Sequence, residues 1–301
     1  MKFIIREGEV MIIFILIIVI LAIILYLKNR KTSLDKLVMR ADGGDSEAQQ
    51  EIGRMFENDE SFEYKLCKSR IKVYSKMANK GDEFAMERVG FSLVSLGDEK
   101  GLSYLLSLAN KGNIRAIKDL YIAYTEFGGL GDQPVEHDKW KKKAAELGDA
   151  EAQYGWGLRL NARGNHEEGN RWLKKSADQN YSPACTSYAE VILQDLLFNQ
   201  LQKSDEEKYE LATKVIDLAN AAINTAEDDE ELSSAIAVLG SVLSENYGVQ
   251  NIDAAAYYFY LAYDVDNMNK SALHSFERLK EKYNLSVDVN DMDAWKRRVL
   301  G

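Results

Sequence analysis

Apolar side chains recur four residues apart in five successive stretches of this chain, and the same small-residue signature introduces each stretch. The signature reads Ala-x-x-Gly-Asp/Asn-x-x-Ala. Its first copy is Ala41, Gly44, Asp45 and Ala48, the second Ala78, Gly81, Asp82 and Ala85. Ala109, Gly112, Asn113 and Ala116 follow, then Ala145, Gly148, Asp149 and Ala152. A fifth, drifted copy is Ala177, Asn180, Tyr181 and Ala184. The glycine positions are 37, 31, 36 and 32 residues apart. Self-similarity at such a period signals stacked helical hairpins, because one hairpin alone cannot bury its apolar face.

Counted from each glycine, offset four is always alanine and offset eight is bulky: Ile52, Val89, Leu120, Trp156 and Tyr188. Offset twelve is Phe56, Leu93, Tyr124, Leu160 and Ile192. These offsets share one face of an α-helix and define the first helix of each hairpin. Offset nine is small (Gly53, Gly90, Gly157, Ala189) except at Tyr121, which permits close approach of a neighbouring helix. The second helix carries a large residue five positions before the signature alanine, namely Val73, Tyr104, Trp140 or Trp172. It ends in a basic turn, as in Lys174-Lys175, that suits the helix dipole. The glycine then reads as a C-cap and the Asp or Asn as an N-cap or turn residue. Pro134 and Pro183 both fall near repeat boundaries.

The apolar pattern changes character near the start. Residues 10–27 are an uninterrupted apolar run of 18 residues, long enough for a transmembrane helix. A cleaved signal peptide would have a shorter apolar core and a small-residue cleavage site, and Tyr26-Leu27-Lys28-Asn29-Arg30-Lys31 offers none. Lys28, Arg30, Lys31, Lys36 and Arg40 follow the run, against Lys2 and Arg6 before it, so the expectation is a cytoplasmic C-terminal side. The expected organisation is a short tail over 1–9, a transmembrane helix over 10–27 and a basic linker over 28–33. A repeat array over 34–285 and a cap with Trp295 over 286–301 complete it.

Composition narrows the chemistry. A net charge of −10 argues against a nucleic-acid-binding protein, which would show a basic face. The acidic run Glu227-Asp228-Asp229-Glu230-Glu231 reads as solvated loop or helix-start charge. Cys67 and Cys185 are isolated and read as apolar packing residues, not a disulfide. His137, His166 and His274 sit in different repeats without a spaced ligand partner, so no metal is expected. Gly128-Gly129-Leu130-Gly131 lacks the preceding strand of a phosphate loop. No catalytic constellation or cofactor motif appears, and the expectation is not an enzyme.

The units resemble Sel-one-like repeats, relatives of the tetratricopeptide repeats. The family pattern is matched best by residues 145–157, including Ala152-Gln153, Trp156 and Gly157; Gly129-Leu130-Gly131 with Trp140 resembles its linker and later tryptophan. Tyr247-Gly248-Val249 looks like a late copy of that linker, and the alanine column returns at Ala235 and again, drifting, at Ala272. The resemblance implies an all-α, right-handed α-solenoid of about seven hairpins, preceded here by the transmembrane helix. By analogy with tetratricopeptide geometry, offsets six, ten and thirteen face a groove lined by first helices. Those positions hold Arg54, Phe91, Ile122 and Leu158, with Tyr154, Val94 and Leu193 beside them. Two readings stand: the apolar strip docks a partner helix or extended peptide, or superhelical twist buries it between repeats.

The functional expectation is a membrane-anchored scaffold that binds a protein partner and needs no cofactor, in a bacterial inner membrane with cytoplasmic repeats. The alternative is a membrane-tethered periplasmic immunity protein that occludes a secreted effector toxin.

Overall fold

The computed structural model describes residues 33–59, 61–126, 128–287, 289 and 294–297. Among them the chain is helical throughout, with turns between helices and no strand. A first helical segment, α1, covers 33–42. It is followed by α2 (Ser46–Asn58), α3 (Phe62–Ala78), α4 (Glu83–Ser95), α5 (Lys100–Asn110), α6 (Ile114–Ala123) and α7 (Pro134–Glu146). Then come α8 (Ala150–Ala162), α9 (His166–Ala177), α10 (Ser182–Phe198), α11 (Asp205–Thr225), α12 (Asp229–Ser244), α13 (Ile252–Val265) and α14 (Lys270–Tyr283). The residues form two compact units, divided between 140 and 141 inside α7. In each unit neighbouring helices pack together, as α4 does with α5 and α12 with α13, and first helices also touch the next first helix, as α4 does α6 and α10 does α12. The apolar run 10–27 lies outside the described residues, and no described helix is long and apolar enough to cross a membrane.

The signature builds each junction between hairpins with very few atoms. At the fourth copy, Gly148 has φ 97°, a conformation without penalty only for glycine. Its N–H donates to the Ala145 carbonyl at 3.1 Å, and the Asp149 N–H donates to that of Ala144 at 3.2 Å. That pair closes α7 as a Schellman motif. The Asp149 side chain turns the other way and accepts from the Ala152 N–H at 2.8 Å, capping α8. Asp45, Asp82 and Asn113 cap Ala48, Ala85 and Ala116 in the same manner. The column alanine is fully buried in all five copies, at the four so capped and at Ala184, whose N–H donates to the Tyr181 carbonyl instead. Gln153 donates its amide to the same Ala145 carbonyl at 3.1 Å, a second bond to an acceptor at the end of the finished helix. In the drifted fifth copy Asn180 adopts φ 59° in place of glycine. Cys185 there takes the glutamine's place, its thiol 3.5 Å from the Ala177 carbonyl.

The small column at offset nine is where the two helices of a hairpin meet. A Cβ on Gly90 would lie 3.1 Å from Leu105, and one on Gly157 2.9 Å from the Gly169 carbonyl. Gly240, in the later part of the chain, stands under the Phe259 ring in the same way. The late drift of the pattern has a simple cause. With Gly240 at offset nine, α12 starts one turn earlier than α4 does, capped by Asp228 through the Glu231 N–H at 2.9 Å. Asp229, Glu230 and Glu231 form its first turn, where carboxylates suit the helix dipole. The segment 199–207 is mostly structured too: α11 opens with a capping box of Ser204 and Glu207. Trp295 is buried against Tyr257 and Phe276, at ring distances of 5.4 and 5.9 Å.

Two substitutions separate these contributions. Ala152→Trp overpacks a site with no free space and lowers the unfolding free energy by about 3 kcal/mol. Asp82→Ala removes only a cap and costs about 1 kcal/mol. Urea denaturation ranks them; equal midpoints would show that the alanine column is not the tight point of the fold.

Candidate functional site

In the first unit, charged groups from four helices meet in the interior. Arg70 on α3 grips Asp42 of α1 with two bonds, Nε to Oδ2 at 3.1 Å and an Nη to Oδ1 at 2.6 Å. Asp42 is almost fully enclosed. Tyr74 lies beside Asp42, and burial first, then the charge of Asp42, raise its phenol above the ordinary range. On α4, Arg88 Nε lies 3.3 Å from Glu87 Oε2 and 4.0 Å from Asp42 Oδ1, with its guanidinium over the Phe84 ring at 5.3 Å. Glu87 is buried, and Asp119 of α6 lies beside it. Three carboxyl groups thus share two guanidinium groups, and one proton restores neutrality. Burial first, then the charge of Glu87, push Asp119 up to about 8 against the pull of Arg88 and Arg70. Asp119 therefore keeps its proton to a higher pH than an ordinary carboxyl group.

In the second unit, the first helices α10, α12 and α14 line a groove. Glu190, Leu193 and Gln194 on α10 face Ser241 on α12, Glu245 just after it and Arg278 on α14 around a cavity of about 380 Å³. The groove continues as a space of about 700 Å³ past Ser234 and Ala237 towards Asp266 and Ser271. Glu190, Ser241 and Arg278 occupy offset ten in three successive first helices, the column that the repeat register assigns to a groove. The serine and alanine floor leaves room for another chain, and the walls carry charges of both signs.

The structure distributes the sequence-nominated residues unevenly. Ile122 in the first unit and Leu158 in the second are exposed, at 42% and 41%, and Arg54 is exposed too. Phe91 is half-buried, as is Tyr154, whose ring packs edge-on to Tyr181 at 5.7 Å. Val94 is 1% exposed and fills the core, because a Cβ on Gly101 would meet it and the loop at Gly129 crosses its carbonyl. Leu193 belongs to the core beneath the groove, packed with Ile192, Leu196 and Val238. The charged cluster escaped sequence reading. Its one signal was charge at offsets six and seven of consecutive copies, Glu87-Arg88 and Lys118-Asp119, beside the buried alanine column.

Nothing among the described residues gathers three His, Cys, Asp or Glu side chains as a metal site. Cys67 and Cys185 are free and buried; burial raises both thiols, Cys185 up to about 11, so neither is a thiolate at neutral pH. His137 Nδ1 lies 2.8 Å from the Tyr121 carbonyl within the α6–α7 turn region, a structural contact.

No protein-family model matches the sequence, and no curated protein matches it. Solved structures do. One is a protective antigen present in uropathogenic Escherichia coli strains and displaying an SLR fold, 19% identical with a TM-score of 0.55. The match covers 90% of this chain and 61% of that one, so this chain spans under two thirds of its length. Another is a Sel1 repeat protein from Oxalobacter formigenes, 18% identical with a TM-score of 0.49, over 70% of this chain and 83% of that one. The likeness to the first is one of fold: the described residues form an all-α array of helical hairpins similar to its SLR fold.

The charged cluster sets a pH dependence. Asp119 binds its proton more tightly folded than unfolded, where its ordinary value is 3.8. The stabilisation is therefore complete below about pH 4 and is lost as pH rises towards 8. The melting temperature of the first unit falls by a few degrees between pH 5 and 8, and Asp119→Asn, which keeps a donor without a charge, flattens that slope. Melts of both proteins across this range, at constant ionic strength, test it; parallel slopes would remove Asp119 from the explanation.

Proposed function

We propose that this protein is a membrane-tethered scaffold that captures a protein partner in the groove of its first helices. The observation that carries the reading is the groove of the second unit. Residues from α10, α12 and α14 at one repeat offset wall a single open space, with no metal cluster and no reactive thiol among the described residues. Exposed Leu158 on α8, with half-buried Tyr154, adds apolar area in the same unit, and Arg54, Phe91 and Ile122 offer the corresponding positions in the first. Helical-repeat surfaces of this kind bind peptides and helices. A binding role without catalysis or cofactor fits these features.

The tether is the apolar run 10–27, and the basic residues after it favour repeats on the cytoplasmic side of a bacterial inner membrane. Confinement to the membrane plane raises the partner's effective concentration. A reporter enzyme joined after Gly301 and active only in the periplasm would reverse this orientation.

The groove is tested by charge reversal at its walls. Glu190→Lys and Arg278→Glu each reduce partner recovery from detergent-solubilised membranes at least tenfold while leaving far-UV circular dichroism unchanged, since surface changes typically cost under about 0.5 kcal/mol. Full recovery by both variants would place binding elsewhere.

A further inference from the structure

The first hairpin is built unlike the others. In later hairpins the glycine at offset nine is pressed against the second helix: a Cβ on Gly90 would stand 3.1 Å from Leu105, and one on Gly240 3.0 Å from Phe259. Around Gly53 on α2 there is nothing within 4 Å. The offset-twelve residues Tyr124, Leu160 and Ile192 are buried, yet Phe56 is 45% exposed. The helices α2 and α3 touch near their loop, where the Phe56 and Phe62 rings meet edge-on at 5.0 Å, and diverge beyond it. A register that elsewhere specifies close packing here leaves a cavity of about 900 Å³ between α1, α2 and α3. That is the size of a small-ligand site.

The cavity has a definite chemistry. Leu34, Leu37, Met55 and Phe62 give it apolar walls. Lys36, Arg40, Lys65, Lys68 and Lys72 stand around it against Asp35, Glu51 and Asp59, so it is locally basic on a chain of net charge −10. Lys65 pairs with Asp59, Lys72 with Asp35 and Arg40 with Asp45. Lys36 and Lys68 have no carboxylate partner among the described residues; Lys68 lies over the Tyr64 ring at 5.3 Å. Ser33 is at the edge of the cavity. The five residues 28–32 between it and the apolar run span at most about 18 Å. In sequence these five residues include the basic Lys28, Arg30 and Lys31.

We propose that the open first hairpin holds an anionic phospholipid of the bilayer that tethers the chain, with an acyl chain on Leu34, Leu37, Met55 and Phe62 and the phosphate beside Lys36 and Lys68. This rests on the membrane-tethered reading above. An anionic headgroup meets the unpaired ammonium groups, and the apolar chain covers surface that α3 leaves bare. The occupied cavity then fixes the first repeats against the membrane instead of leaving them on a free linker.

The test uses the full chain in nanodiscs of phosphatidylcholine containing phosphatidylglycerol with a photoactivatable acyl chain, and maps adducts by mass spectrometry. Adducts are expected on α1, α2 and α3 around Leu34, Met55 and Phe62, at least fivefold more than with equally labelled phosphatidylcholine. Met55→Trp, which fills the cavity, removes them. Lys36→Glu combined with Lys68→Glu reduces them several-fold without entering the apolar wall, so the test survives if the tryptophan variant folds poorly. Equal labelling by the two lipids, or labelling indifferent to both variants, overturns the proposal. Chain-to-chain adducts at α2 would overturn it in favour of a second copy. Alkaline carbonate extraction separates the failures. A chain that stays in the membrane without adducts refutes lipid docking alone, whereas a chain released by carbonate refutes the tether and the docking together.

Discussion

At four hairpin junctions one residue serves two helices, and the array depends on that economy. The backbone N–H of Asp149 closes α7 while its side chain opens α8. Both bonds are local, so the direction change between hairpins is fixed within three residues. The same geometry turns the chain inside hairpins, at Gly97-Asp98 between α4 and α5 and at Gly164-Asn165 between α8 and α9. The buried alanine three residues on then has a defined place, and only a methyl group fits it. Helix termini that would otherwise expose orphan backbone groups in a packed interior are satisfied before tertiary packing begins.

Within that frame, first helices have two kinds of neighbour and two kinds of surface. Their alanine and glycine columns are committed to packing, as Ala85 and Gly90 are on α4. The remaining face is free to vary. In the first unit it turns inward as the cluster around Asp42, Arg70, Glu87 and Asp119, where one proton balances the charges. In the second it opens as a groove between Glu190 and Arg278. First helices in one register thus contribute to an interior polar knot, together with Asp42 of α1 and Arg70 of α3, in one unit and to an accessible surface in the other.

The fold was legible because its repeat signal is made of backbone requirements. Positive φ at Gly148, capping by Asp149 and the methyl-sized space at Ala152 leave traces in sequence that need no knowledge of partners. The later repeats blurred because α12 gained a turn at its start, which moves the cap away from the alanine column without disturbing Gly240. The column at offset ten was legible in the sequence, whereas which of its side chains reach the surface was not. Ile122 and Leu158 are exposed as that column requires, while Val94 and Leu193 joined the core, since offset thirteen lies where loops and second helices return. The Glu87–Asp119 pair was invisible because it joins residues 32 apart whose meeting depends on how α6 lies against α4. The open first hairpin was equally hidden, since Gly53 and Phe56 keep the register of their closed counterparts.

The central claim is that the face of the first helices in the second unit is where a partner binds. Hydrogen–deuterium exchange of the membrane-embedded chain, with and without its captured partner, addresses it directly. The account predicts slowed exchange along α10, α12 and α14, with α9, α11 and α13 unchanged. Protection confined to α9, α11 and α13 would contradict it and assign binding to the opposite face.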